Sequence, residues 1–250
     1  MSVDLLLLLL VGAAVAGFVQ GLSGFAFGMV AMSFWVWGIE PQIAGVLTVF
    51  GGLTGQIVAA VSTRRSLMHA VFVPYLLGGL LGIPLGVLAL RVIDPPMFKA
   101  LFGLLLVTWC PAMLFSGRIP RIHHGGRLAD GAVGVVGGVM GGIGGFTGVA
   151  PALWCTLRGY DKDLQRTIVQ NFNLAALAVT MAVQAGTGAV TREMLPLFAM
   201  VAPAMALPSL LGARVHLGLS DQTSRRIVLA LLTASGVAMI AASLPRLLAR

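Results

Sequence analysis

The chain is expected to be an all-α polytopic membrane protein made of two repeated four-segment halves, which the charge distribution makes inverted copies of each other, with glycine-broken hairpins as segments one and five. Three observations carry this: an extreme hydropathy, a regular punctuation of apolar runs, and a duplicated glycine cluster. Mean hydropathy is +0.98, 58% of the 250 residues are hydrophobic and only 10% are charged, against about 25% charged in soluble domains. No single water-soluble core could bury so much apolar surface, so the bilayer serves as solvent. The net charge of +8 does not mark a nucleic-acid binder, because the 16 Lys and Arg are scattered between apolar runs, as in the loops of membrane proteins. Cys110 and Cys155 lie inside apolar segments, which reads as packing, with no disulfide framework, metal site or cofactor.

Taken in order, the apolar segments span about 5–38, 41–62, 69–92, 96–115, 130–156, 164–190, 195–213 and 224–245. Leu5 to Leu10 followed by Ala14-Val15-Ala16 resembles a leader with a cleavage site. However, Asp4 stands where a leader carries Lys or Arg, and the run continues past Ala16, so it reads as the first membrane element. Most segments are near the roughly 20 residues a crossing helix needs. The first is too long, roughly 50 Å as one helix. It and the fifth are interrupted by glycine clusters at 21–28 and 141–148.

The two clusters repeat at an offset of 120: Gly17, Gly21, Gly24 and Gly28 fall on Gly137, Gly141, Gly144 and Gly148. Such duplication is a common transporter plan. It divides the chain into an N-terminal repeat (1–115), a basic linker (116–129) carrying His123 and His124, and a C-terminal repeat (130–250). If segments one and five enter and return as hairpins, eleven of the 16 basic residues gather on one side, including Arg64, Arg65, Arg158, Lys162, Arg166 and Arg214. The positive-inside rule makes that side cytoplasmic. Each half then makes an odd number of passes, so the halves are inverted, with both termini outside. The tally tests segment five only, since no Lys or Arg precedes Arg64; segment one follows from the repeat.

Gly78, Gly82 and Gly86 keep the spacing of close helix packing. The paired clusters do more than this, because several glycines within eight residues also weaken a helix. Broken backbone inside a bilayer is tolerated where it is buried in protein or lines a wet cavity, and a helix restarting after a break offers amides to an anion. The candidate binding residues are therefore Gln20, Ser23, Gly24 and Phe25 at the first break, and Gly144, Gly145, Phe146 and Thr147 at the second. Gln56, Gln170 and Asn171 come from the segments that follow, where interhelical hydrogen bonding is the competing role. Arg64, Arg65 and Arg166 are candidates for a cytoplasmic mouth. Trp35, Trp37 and Trp109 read as interfacial anchors, and His69 and His216 as residues at headgroup level.

The cluster Gly-Gly-Ile-Gly-Gly-Phe-Thr-Gly-Val-Ala-Pro at 141–151, with its partial copy near the N-terminus, resembles the sulfite exporter TauE/SafE family over nearly the whole chain. The first copy departs from the family pattern at Phe25, Phe27 and Ala31. The resemblance implies a permease of the cytoplasmic (inner) membrane for sulfite, a sulfonate or a related small organic anion. Its partners would be that anion and the lipid bilayer, with an oligomer left open.

Two other classes stay open. Gly21-Leu22-Ser23-Gly24 matches the GxSG pattern of intramembrane serine proteases, but no apolar segment carries a mid-membrane histidine to serve as base. A passive anion channel or an assembly factor could also use inverted broken helices. All eight carboxylates fall at segment ends or in loops, so no group at depth stands out as a proton relay.

Overall fold

The computed structural model describes residues 2–62, 71–116, 120–122, 125–215 and 221–248. Arg64, Arg65, His69, His123, His124 and His216 lie outside the described residues, as does the C-terminal Arg250. The described residues form helices and connecting turns, with no strand. In chain order the α-helices are α1 (Val3–Ser23), α2 (Phe27–Trp35), α3 (Pro41–Ser62), α4 (Val73–Val92), α5 (Pro95–Leu114), α6 (Gly126–Gly144), α7 (Val149–Leu157), α8 (Lys162–Gly186), α9 (Leu195–Val215) and α10 (Asp221–Leu248). Local sequence sets several starts. Ser2, Asp94 and Asp161 each accept a backbone N–H three residues on, at 3.4, 3.1 and 2.9 Å, which satisfies amides that α1, α5 and α8 would leave open.

Among the described residues, seven helices are long and apolar enough to cross a bilayer: α1, α3, α4, α5, α8, α9 with its leading turn, and α10. The protein is therefore a multi-pass membrane protein. The glycine-rich α6 carries Arg127 and Asp130 near its start and is not among the seven.

Each glycine cluster sits where one helix ends and a short one begins. α1 stops at Gly24 in the left-handed conformation (φ 83°), and α2 then runs back along α1. The Trp35 Nε1–H donates to the Leu9 carbonyl at 3.2 Å, which fixes the antiparallel register. α6 stops at Gly145 (φ 71°), and α7 returns until Trp154 Nε1–H meets the Asp130 carboxylate at 2.7 Å. L-residues pay a steric penalty at such φ values and glycine does not.

The long helices pack through glycine faces. α4 lies along α6, α1 along α9, and α5 along α10. A Cβ on Gly78, Gly82 or Gly86 would fall on the carbonyl oxygen of Gly131, Val135 or Val139 respectively, and one on Gly17 or Gly21 would fall on that of Met205 or Ser209. Backbone cannot yield as a side-chain tip can, so Gly82→Val is expected to separate α4 from α6. The check is yield and melting temperature in detergent: little folded Gly82→Val should be recovered. Gly186→Ala, whose Cβ would meet nothing within 4 Å, should melt like the wild type.

Candidate functional site

Hydrogen bonds from neighbouring helices hold the two breaks in place. At the first, Gln20 is buried on α1, and its Oε1 accepts the Phe27 N–H at 3.1 Å while its Nε2 donates to the Gly52 carbonyl on α3 at 3.2 Å. Ser23 Oγ accepts from the N–H groups of Phe25 and Ala26 and donates to the Val19 carbonyl at 2.8 Å. The amides of Phe25, Ala26 and Phe27 are thus taken up by Ser23 and Gln20 in this conformation. From α3, Gln56 Nε2 donates to the Gly24 carbonyl at 2.6 Å. Gln56→Leu would leave that carbonyl without this donor and is expected to destabilise the protein by about 1–3 kcal/mol, read from thermal unfolding.

The second break is held in a related way. Thr48 of α3 donates to the Gly144 carbonyl at 2.9 Å, and Thr147 donates to Asn173 Oδ1 of α8 at 2.7 Å. A Cβ on Gly145 would come within 3.2 Å of the Thr48 backbone, and one on Gly24 within 2.6 Å of Gln170 Nε2. So each left-handed glycine is met by a polar residue from the long helix of the other half. The two breaks also touch each other. A Cβ on Gly28 would lie 2.8 Å from the Gly145 carbonyl oxygen, and one on Gly148 would lie 3.1 Å from the Phe25 Cβ.

A cavity of about 610 Å³ opens beside the first break, within the range usual for small-molecule sites. Lys162, Gln165 and Arg166, from the first turns of α8, line one end; Gln170 and Ser23 line the other. Lys162 and Gln170 are separated by roughly 12 Å along the helix at 1.5 Å per residue. The remaining wall is apolar, with Phe25, Met29, Trp109 and Met113 facing Leu229 and Leu232 of α10. Phe25 and Trp109 meet edge to face at 6.2 Å. Asp163 is the carboxylate in the lining.

Of the residues expected from sequence, Ser23, Phe25, Arg166 and Gln170 line this cavity. Gln20, Gly24 and Gln56 stand directly behind it as the scaffold of the first break. Gly144, Gly145, Phe146, Thr147 and the buried Asn171 are not in its lining. Phe146 instead stacks on Phe102 at 4.9 Å, and Phe102 on Phe98 at 6.1 Å, so the second break is packed against aromatic rings. Two expectations need correction. Trp35 and Trp109 are buried, at 0% and 5% exposure, and are not interfacial anchors. Trp35 is tied to Leu9, and Trp109 donates to the Val149 carbonyl at 2.9 Å, because a buried indole N–H needs an acceptor. Trp37 is exposed, with the Lys99 ammonium 4.4 Å from its ring.

Sequence reasoning missed Lys162, Trp109, Met113 and the α10 residues as cavity lining. They come from three distant stretches of chain, α5, α8 and α10, that only the fold assembles. It also missed Asp130, which sits at a segment end but is only 5% exposed.

A family model described as Sulfite exporter TauE/SafE matches residues 8–239. No curated protein and no solved structure matches the chain. The match runs from within α1 to within α10 and takes in both breaks and the cavity between the first break and α8: this multi-pass membrane protein belongs to the sulfite exporter TauE/SafE family.

Proposed function

We propose that the protein is a secondary transporter that carries a small anion, sulfite, a sulfonate or a related organic anion, across the cytoplasmic membrane by alternating access. The family is one of membrane transporters rather than enzymes. The observation that carries the reading is the cavity itself, with two cations at its mouth and a broken helix at its inner end. Arg166 and Lys162 attract the anion and meet its charged head, Gln170 offers an amide, and the apolar wall accommodates an organic body.

The two halves, 1–115 and 130–250, act as inverted repeats joined by the cytoplasmic linker 116–129. Support comes from the exchange of packing partners: α1 rests on α9 as α6 rests on α4, and α5 pairs with α10. In this arrangement the hairpins α1–α2 and α6–α7 enter from opposite sides and meet at their tips. The cavity then faces the cytoplasm, and the Phe146–Phe102 stack closes the equivalent space beside the second break. That asymmetry favours gated access over a continuous pore. Ser23, the residue of the protease-like pattern, spends its hydroxyl on the helix backbone, as a serine near a helix end commonly does.

Thermal-shift screening of the purified protein tests the reading. Sulfite or a small sulfonate should raise the melting temperature in a saturable way, since a ligand that binds only the native state stabilises it. A screen of sulfite, sulfonates, sulfate and carboxylates in which no anion shifts the melting would contradict it. The topology has its own check: a cysteine at Ser116 should label from the cytoplasmic face only.

A further inference from the structure

We propose that Asp130 is a proton-binding site, separate from the anion cavity, through which a proton drives the rearrangement of the second hairpin. The proposal rests on the transporter reading above.

Asp130 lies near the start of α6 and is 5% exposed. Its Oδ1 accepts from the Tyr75 hydroxyl of α4 at 2.8 Å and from the Trp154 indole of α7 at 2.7 Å. One carboxylate therefore ties together three helices. Both of these donors are neutral, and among the described residues the opposite charge that acts on the carboxylate is that of Arg158, by attraction through space. Among the described residues the surrounding groups are few. Tyr75 comes from α4 and Cys155 from α7, with Arg158 and Tyr160 in the turn that follows. Arg121 lies against Gly159 beside that turn, and Arg127 shares α6. α8 contributes the apolar Leu164, Ile168 and Phe172.

The other hairpin shows what the same latch looks like without a charge. There the Trp35 indole donates to the backbone carbonyl of Leu9. Leu9 and Asp130 are 121 positions apart, the spacing that also relates the left-handed Gly24 and Gly145. Each return helix is thus pinned to its entering helix by a tryptophan, on a carbonyl in one half and on a titratable carboxylate in the other. Holding the hairpin closed does not require a carboxylate, as Leu9 demonstrates. What the carboxylate adds is a bond that a proton can weaken. Charge-assisted hydrogen bonds are roughly twice as strong as neutral ones. A proton from water added to the Asp130 carboxylate removes that charge, loosens both Tyr75 and Trp154, and lets α7 part from α6 while the glycine seam of α4 and α6 stays packed. The proton leaves when the hairpin closes again.

The test has two arms. In the first, infrared difference spectra of the purified protein are recorded on acidification with no anion present. The wild type should show the carbonyl band of a newly protonated, buried carboxyl, and Asp130→Asn should lack it. The asparagine oxygen still accepts from Tyr75 and Trp154, so the variant should fold, which its melting curve checks. Tyr75→Phe, with one donor removed, should show the band at a displaced frequency. In the second arm, proteoliposomes carry labelled sulfite. A pH gradient should accumulate sulfite at least tenfold in the wild type and in Glu193→Gln, whose carboxylate is exposed in the turn before α9 and outside the cavity. Asp130→Asn should keep sulfite counterflow but lose the response to the gradient. An unchanged band in Asp130→Asn, or undiminished gradient-driven accumulation, overturns the proposal. If the wild type moves no sulfite, the transport reading fails for that anion, and the infrared arm decides the role of Asp130 alone.

Discussion

Replacing Arg166 and Lys162 together with glutamine is expected to weaken anion binding about 100-fold or more, with little change in melting temperature. Both side chains are exposed at the mouth of the cavity, so the fold does not depend on burying them. Hydrogen bonds to charged groups contribute about 1.5–3 kcal/mol each, and about 1.4 kcal/mol is a factor of ten in affinity. Each single substitution should therefore cost roughly tenfold or somewhat more. Titration calorimetry with whichever anion stabilises the wild type reads the effect. The loss should lessen as salt rises, because screening weakens attraction between exposed charges. Equal affinity in the double variant would leave these cations with a topological role only.

Gly24→Val should abolish binding by a different route. At φ 83° a β-branched residue is a steric outlier, at a cost of about 1–2 kcal/mol for the backbone alone. Its side chain would also displace Gln170, whose Nε2 lies 2.6 Å from the position of a Cβ. The inner end of the cavity is then remodelled while the packing seams of α4 with α6 and α1 with α9 are untouched. A folded, membrane-inserted protein with anion affinity reduced beyond detection is the expected outcome, measured by circular dichroism alongside the binding assay. Gly144→Val is expected to act elsewhere. Its Cβ would meet the ring of Phe146, outside the cavity lining, so affinity should stay within about threefold, on the working rule that contacts outside a site contribute little to its binding energy.

The membrane class was legible because hydropathy is a property of composition and needs no fold to be read. The glycine clusters were legible for a related reason: a left-handed residue ending α1 or α6 restricts the choice to glycine, so the constraint shows in the sequence itself. The alignment was one residue out, however. Conformation pairs Gly24 with Gly145, whereas the offset of 120 pairs it with Gly144. Candidates near the breaks could be named from polarity alone, but sequence could not say which polar groups face a cavity and which face backbone. Gln20 and Gln56 look equivalent to Gln170 in an apolar run; the first two are spent on the Gly52 and Gly24 carbonyls. Trp109 and Asp130 were misjudged because burial follows from the neighbours. Trp109 lies near the end of an apolar segment, where tryptophans commonly anchor, yet α7 passes over it. Asp130 sits in the first turns of α6, where a charge is usually solvated, yet α4 and α7 enclose it.

The central claim is that an anion occupies the cavity between the first break and the start of α8. It is tested most directly by a single cysteine placed at Leu232 on α10, in a protein whose Cys110 and Cys155 are replaced by alanine. Leu232 lines the cavity opposite the break and makes none of the proposed anion contacts. A membrane-impermeant thiol reagent should modify this cysteine from the cytoplasmic face, and a small sulfonate should slow the reaction in a saturable way. A cysteine that reacts only from the other face, or reacts at the same rate at every sulfonate concentration, would contradict the account.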